Sequence, residues 1–203
     1  MSPDDERERL PIASDGELRN WLDQNHSTSD SVWLVTWKKS SDGPYVPRRQ
    51  VLEALLAYGW IDSLPRKLDA ERTMLLVSRR KPGSSWSKVN KDIVKALLSS
   101  GGMEAPGLAA VKQARSDGSW DRLDEVEALV VPPDLASALA AIPEARMYFD
   151  AFPPSSRRGI LEWIQNAKRP DTRARRVAET AEKAARNIKA NHPAGRDRGP
   201  SRT

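Results

Sequence analysis

Apolar residues near the start of the chain follow first a helical and then a strand spacing. Ser14 with Glu17 three residues later forms a capping-box pattern, which marks the start of a helix. Residues 31–39, SVWLVTWKK, place apolar side chains on both sides of an extended chain, which predicts a strand buried on both faces. Pro47 favours the start of a second helix, and Gly59 suits its C-terminal cap. The apolar face of the first helix consists of Leu18, Trp21 and Leu22.

Two strands are predicted next. Residues 60–63, WIDS, and residues 73–80, TMLLVSRR, have the β-branched and apolar character of strands, and a hairpin is their simplest arrangement. Pro65 and the polar group at 69–71 interrupt the pattern between them. The segment 64–72 is therefore predicted to be a turn.

A helix is predicted after the loop KPGSS at residues 81–85. Ser87 suits its N-cap, and Gly101 with Gly102 suits its end. The inward face of this helix is predicted to contain Val89, Ile93, Ala96 and Leu97.

The second half of the chain has helical spacing. An Ala-rich helix is predicted over 105–118, followed by a linker over 119–135 and two short helices that break at Pro143. Two further helices are predicted over 155–168 and 171–190. In the first of these, Trp163 is expected to be buried together with Ile160 and Ile164.

These elements predict an α+β fold with a small N-terminal sheet and flanking helices, followed by a helical C-terminal half. The predicted division is an α+β domain at 1–103, a helical region at 104–190 and a disordered tail at 191–203.

Composition excludes several classes of site. The chain has no cysteine, which excludes disulfides and thiolate metal sites. Its two histidines, His26 and His192, are far apart in sequence, which argues against a His-based metal centre or a Ser-His-Asp triad. We therefore predict neither a metal nor a cofactor. No apolar run is long enough to cross a membrane, and the acidic start does not resemble a signal peptide, so a cytoplasmic location is expected.

Two zones of the chain each have a net charge of +5, and the remaining residues offset them to give the total of +5. Residues 60–95 carry nine Lys or Arg and four Asp or Glu, and residues 171–203 carry the same numbers. Basic zones of this kind attract small anions, nucleic acid or lipid headgroups, although many are only solvated surfaces. Nucleic acid is disfavoured, since the C-terminal run KRPDTRARR at 168–176 has no aromatic residues for base stacking.

Four strings resemble one known family: YGWIDS at 58–63, RKPGSSWSKVNKD at 80–92, the segment 107–139 and RRGILEWIQNAKRPDTRARRVAET at 157–180. Over residues 14–188 the chain resembles the YdeI/OmpD-associated family, also called bacteriocin-protection proteins. The resemblance implies a role in bacterial survival under antimicrobial-peptide or envelope stress. It implies no reaction, cofactor or catalytic residue.

The stretch 59–92 is the candidate site. Ser87, Lys88 and Asn90 are either a helix cap with its first turn or part of an anion site at the helix N-terminus. In the second case, bases at 79–81 and the backbone of the loop 82–85 would surround the anion. The candidate ligand-binding residues are Trp60, Asp62, Ser63, Arg66, Arg79, Lys81, Ser84, Trp86, Ser87, Lys88 and Asn90.

The aromatic and acidic members of this stretch admit two interpretations each. Trp60 and Trp86 are either core residues or the walls of a pocket. Asp62 either forms a structural ion pair with Arg66 or orients a ligand and takes a proton.

Three functions remain open from the sequence. The first is non-catalytic binding of an anionic small molecule or lipid headgroup in stress protection. The second is an enzyme of unknown class that acts on such an anion, with Asp62 as acid or base. The third is a protein-interaction module that works through the helices at 155–190.

Overall fold

The computed structural model describes residues 7–191, which form two compact units that divide after Arg122. The first unit contains β1 (Arg9–Pro11), α1 (Asp15–Asn25), β2 (Ser31–Trp37), α2 (Arg48–Ala57), β3 (Trp60–Lys67), β4 (Arg72–Arg79), α3 (Lys88–Ser100) and α4 (Ala105–Ser116). The second contains α5 (Asp124–Glu127), α6 (Pro133–Ala141), α7 (Ala145–Ala151), α8 (Pro154–Gln165) and α9 (Pro170–Ala184). The predicted α+β fold, with a sheet on the N-terminal side and then helices, is confirmed.

The sheet has the strand order β1-β2-β4-β3. β1 runs parallel to β2, and β4 runs antiparallel to both β2 and β3, which confirms the predicted hairpin. β2 buries Val32 through Val35 without interruption, as expected for a strand covered on both faces. β1 was not predicted, because its three residues depend on pairing with β2 rather than on a pattern of their own.

The predicted turn at 64–72 is wrong at its start. β3 continues to Lys67, so the turn is confined to residues 68–71. The register shifts between Asp62 and Pro65, and β3 is an edge strand, where the missing N–H of proline leaves no neighbouring strand unpaired. Asp69 then makes the turn, because its Oδ1 accepts hydrogen bonds from the backbone N–H groups of Glu71 and Arg72.

Local capping signals located the helix starts. Ser14 Oγ accepts from Glu17 N, and Ser87 Oγ accepts from Asn90 N, as predicted. Gly59 and Gly101 both have a φ of 72°, the left-handed conformation expected after a helix. Pro47 is the N-cap of α2 rather than its first helical residue.

The inward face of α3 is rotated from the predicted one. Ile93 and Leu97 are buried, but Val89 is 58% exposed and Ala96 is also exposed. The remaining buried positions of this helix are Asn90 and Val94. The buried set therefore follows i, i+3, i+4 and i+7, and a polar residue occupies the place that hydrophobicity alone assigned to valine.

The second unit has a core of its own, to which α6, α7, α8 and α9 all contribute. The break between α6 and α7 at Pro143 is confirmed, whereas the short helix α5 lies within the predicted linker. Ile160 and Ile164 are buried as expected, but Trp163 is only half-buried, with the Arg176 guanidinium 4.9 Å from its ring centroid.

The predicted domain boundary at 103/104 separates α4 from the sheet, whereas the structure places α4 in the first unit. Of the predicted tail, residues 192–203 lie outside the described residues, as does His192.

Candidate functional site

The first unit contains a cavity of about 470 Å³. It lies where the end of β4 and the loop after it meet the start of β3 and the helix α4. Basic and polar residues line one part, and Pro106, Ala109, Ala110 and Ala114 line another. The cavity therefore combines positive charge with an apolar wall, in the size range of small-molecule sites.

Arg80 lines this cavity with a largely buried side chain. Its Nη1 donates to Ser85 O at 2.9 Å, but its Nε and Nη2 are buried and have no hydrogen-bond partner among the described residues. Burial lowers the pKa of the Arg80 guanidinium to about 10, an effect that the Asp62 carboxylate partly offsets. Arg80 is thus charged at neutral pH and holds two buried donors that require an acceptor.

Two tryptophans, whose rings are tilted by 46° to each other, pack beside Arg80. The Arg80 guanidinium carbon lies 3.7 Å from the ring centroid of Trp86, and the Trp86 and Trp120 centroids are 4.9 Å apart. Arg115 and Lys91 lie over Trp120 at 5.1 and 5.4 Å. Trp86 is fully buried, and its Nε1–H also has no partner in the described part of the chain. The cation–π contact with the Trp86 ring holds the Arg80 guanidinium in place.

The two neighbouring bases differ in availability. Arg79 forms an ion pair with Asp30 and donates from Nη1 to Ser27 O at 3.1 Å. Its positive charge is therefore paired with the Asp30 carboxylate. Lys81 lines the cavity and is exposed, and its side chain forms no ion pair or hydrogen bond with the described residues. Arg80 and Lys81 are therefore the cations that can receive a ligand.

The loop after β4 is held in one conformation. Gly83 N donates to Asp117 Oδ2 at 3.1 Å, Ser84 N donates to Lys81 O at 3.1 Å, and Arg122 Nη1 donates to Gly83 O at 2.6 Å. Gly83 has a φ of 74°, which favours glycine at this turn. The N–H groups of Gly83 and Ser84 are therefore occupied within the protein and are not available to the anion of the predicted backbone cradle at 82–85. Side chains are the donors that remain available to an anion in this cavity.

Asp117 titrates far below an ordinary aspartate. Hydrogen bonds from Ser119 lower its pKa from 3.8 to about 2, and donors on Gln113 and Gly83 act in the same direction. A carboxylate with a depressed pKa stabilises the fold above pH 4, and this contribution is lost as the pH falls towards 2. We expect the amide proton shifts of Gly83 and Ser119 to follow one titration with a midpoint near 2 by NMR. A midpoint near 3.8, or an unchanged titration in Asp117→Asn, would show that Asp117 does not hold this loop.

Tyr58 and His26 complete the polar lining. Tyr58 Oη donates to Asp23 Oδ1 at 2.5 Å, and burial together with this bond raises the Tyr58 pKa to about 12. His26 Nδ1 lies 2.9 Å from Leu22 O. Since a carbonyl only accepts, Nδ1 carries the proton and Nε2 of the neutral ring is left as an acceptor.

The structure brings together four of the predicted site residues. Arg79, Lys81, Ser84 and Trp86 line the cavity, whereas Ser87, Lys88 and Asn90 do not. Ser87 is the cap of α3, as in the structural alternative. The lining residues that were not among the candidates come from three places: the segments that follow α1 and α2 (residues 26–27 and 58–59), the loop after β4 (Arg80, Pro82 and Gly83), and α4 with the segment that follows it.

The remaining candidate residues make structural contacts outside this cavity, within the first unit. Trp60 is fully buried in the core, where its Nε1 donates to His26 O at 3.2 Å. Asp62, for which Arg66 was the predicted partner, forms an ion pair with Arg48, and the guanidinium carbon of Arg66 lies 4.8 Å from the Trp33 ring centroid. Ser63 Oγ donates to Leu76 O at 3.2 Å. These contacts are structural, and sequence neighbours did not predict them because β3 faces β4 and α2.

Within residues 7–191, no group of three or more His, Cys, Asp or Glu side chains is placed to hold a metal ion. Among the helices that the structure describes, none is both long and apolar enough to cross a membrane.

Comparison with known families gives one match in each unit. Residues 128–187 match the family model described as Bacteriocin-protection, YdeI or OmpD-Associated, which confirms the resemblance for the second unit. Residues 10–110 match a separate model, described as a domain of unknown function (DUF8412). Searches of curated proteins and of solved structures gave no match.

Proposed function

We propose that the first unit of this chain binds a small anionic molecule without chemical conversion. Its residues 128–187, in the second unit, match the Bacteriocin-protection, YdeI or OmpD-Associated family model. The ligand class is a phosphate or carboxylate with an apolar body, either free or as the headgroup of a lipid. The anionic group would be held at Arg80 and Lys81, and the apolar body would lie against Pro106, Ala110 and Ala114.

One observation carries this proposal: the buried, unpartnered Nε and Nη2 of Arg80. A charged donor left unsatisfied in a protein interior costs about 1–3 kcal/mol or more, so a fold rarely keeps one without a use. The Trp86 stack holds the guanidinium in place before a ligand arrives, which lowers the entropy cost of binding. An oxyanion that accepts from both nitrogens would remove the penalty and gain charge-assisted hydrogen bonds.

The polar groups of the cavity favour holding a ligand over transferring protons. The Asp117 carboxylate already accepts from Gly83, Ser119 and Gln113. Tyr58 donates to Asp23, and its raised pKa keeps it protonated at neutral pH. Asp62, the acid or base of the enzyme hypothesis, does not line the cavity and is paired with Arg48.

Calorimetric titration with phenyl phosphate tests the free-ligand form of the proposal. Arg80→Met keeps an apolar side chain on Trp86 but removes the positive charge and the guanidinium N–H donors. We therefore expect the affinity for phenyl phosphate to fall roughly 10-fold to 150-fold. Lys112→Met, on the exposed side of α4, removes the same charge outside the cavity and should change affinity less than twofold. Equal losses in the two variants would mean that general positive charge, not the cavity, attracts the anion.

Vesicle co-sedimentation separates a lipid headgroup from a free anion. Vesicles with phosphatidylglycerol are compared with vesicles of phosphatidylcholine alone. Binding only to the former, lost in Arg80→Met, would assign the site to a headgroup, and binding of phenyl phosphate alone would assign it to a free anion. If neither probe binds above the level of Arg80→Met, the proposal is wrong.

At the cellular level, we propose that this binding contributes to tolerance of antimicrobial peptides, since the family model that matches residues 128–187 is described as bacteriocin-protection. A bacterial strain without this gene should regain survival under a cationic antimicrobial peptide with the wild-type chain and with Lys112→Met. Arg80→Met at equal abundance should not restore it. If Arg80→Met restored survival fully, binding in this cavity would not contribute to antimicrobial-peptide tolerance.

A further inference from the structure

A second cavity of about 400 Å³ lies at the opposite end of the sheet from Arg80. β2 and β4 are antiparallel, so Trp37 pairs with Arg72 at one end while Ser31 pairs with Ser78 at the other. Arg80 follows the Ser78 end, whereas the second cavity includes Trp37 and Thr73. The two cavities therefore share no lining residue and can be tested separately.

The interior of this cavity is apolar. Leu34 and Leu75 pair in register and both line it, together with Val46 and Val51 from the start of α2 and its preceding loop. Leu34, Val46 and Val51 are each less than 5% exposed. A cavity with such walls favours a hydrocarbon chain or an aromatic ring over a polar ligand.

The mouth of the cavity is positive. The charged residues that line it are Lys38, Lys39 and Arg48, and no acidic residue lines it in the described part of the chain. Lys38 Nζ donates to the neutral carbonyls of Asp69 and Ala70 at 2.8 and 2.6 Å, so these two bonds do not cancel its charge. The side chains of Lys39 and Tyr45 form no ion pair or hydrogen bond with the described residues and are exposed. Two free donors thus stand beside an apolar interior.

The loop between Lys39 and Tyr45 packs on Trp37, which is one of the residues that line this cavity. A Cβ added at Gly43 would lie 2.1 Å from two atoms of the Trp37 ring, so the loop backbone rests directly on that ring. Ser41 N and Ser41 Oγ both donate to Lys38 O, at 3.1 and 2.6 Å. These contacts hold the loop against Trp37 and so support that residue at the edge of the cavity.

From this combination we infer a second ligand site, which takes a monocarboxylate with an unbranched apolar chain. The chain would fill the space among Leu34, Val46 and Val51, and the carboxylate would accept from Lys39 Nζ and Tyr45 Oη at the mouth. This site goes beyond the proposed function, since it lies apart from Arg80 and selects for chain length rather than for a compact anion.

Methionine-methyl NMR tests the site with octanoate. Met74 lines this cavity, whereas Met103 packs on the core of the first unit and Met147 is an exposed residue of the second. Octanoate should shift the Met74 methyl signal in a saturable way and leave Met147 unchanged. Each methylene added from butanoate to octanoate should raise affinity about fourfold until the cavity is full. An absence of a saturable Met74 shift would overturn the inference.

The head group is tested by variants and by a neutral analogue. Lys39→Ala should weaken octanoate about fivefold and leave 1-octanol unaffected, whereas Lys95→Ala, an exposed lysine on α3, should affect neither. Arg80→Met should leave the octanoate-induced shift of Met74 unchanged, so the test of this site does not depend on whether the first cavity binds an anion. Equal affinity for octanoate and octanol in the wild type would show that the mouth does not recognise a carboxylate and would overturn the ligand class.

Discussion

Gly107→Ala is expected to destabilise the first unit by about 2–3 kcal/mol. A Cβ at this position in α4 would lie 2.1 Å from the carbonyl oxygen of Ala57 and 2.8 Å from that of Leu56. The Ala57 carbonyl cannot withdraw freely, because it also accepts from Glu104 N at 3.1 Å. The end of α2 and the start of α4 would have to separate, which can be measured by urea denaturation followed by circular dichroism.

Gly159→Ala is the matched control. This glycine lies inside α8, and a Cβ built on it has nothing within 4 Å. Helix propensity alone should therefore make the change stabilising by up to about 1 kcal/mol. The same chemical substitution is expected to have opposite signs in two helices. A Gly107→Ala protein as stable as the wild type would contradict the close approach of α2 and α4.

Sequence reasoning succeeded where the information is local. Ser14 and Ser87 were placed as helix caps because each hydroxyl bonds to a backbone N–H three residues later. Gly107 shows the opposite case, since a glycine in an Ala-rich helix predicts only lower helix stability. Its role depends on Ala57, fifty residues earlier, and no local pattern contains that contact.

The candidate site shows the same division. The sequence places Arg79, Arg80 and Lys81 side by side, and the candidate residues included Arg79 and Lys81 but missed Arg80. The structure distinguishes them through partners that are distant in sequence, because Asp30 takes the charge of Arg79 while Nε and Nη2 of Arg80 are left without an acceptor in the described residues. The α4 wall was missed because the stretch 59–92 was considered alone. The string 107–139 that carried the family resemblance was the available signal for it.

The prediction of the inward face of α3 was wrong for an energetic reason. Hydrophobicity favoured Val89 as an inward residue, but the helix buries Asn90, with its backbone N–H bonded to Ser87 Oγ. The position of the cap fixes where the first turn begins, and the later core residues Ile93 and Leu97 then set the rotation. One exposed valine costs less than moving both of these side chains out of the core.

Trp60→Ala is expected to cost about 3–5 kcal/mol of stability, because it removes a fully buried indole from the core of the first unit. The Trp60 ring also packs edge-to-face on Trp21, with centroids 5.5 Å apart. Its Nε1 donates to His26 O, so the truncation leaves that carbonyl without this donor. Trp60→Phe keeps most of the apolar area and should cost less than half as much.

Trp163→Ala provides the comparison within the same chain. This ring was expected to be buried, but it is half-buried beneath Arg176, so its loss should cost only about 1–2 kcal/mol. Urea denaturation of both variants, followed by circular dichroism and fitted separately for each unit, measures the two costs. If Trp163→Ala proved as costly as Trp60→Ala, the half-exposed position of Trp163 would be wrong. If Trp60→Ala cost under about 1 kcal/mol, Trp60 would belong to a ligand-facing wall, as the sequence also allowed, and not to the core.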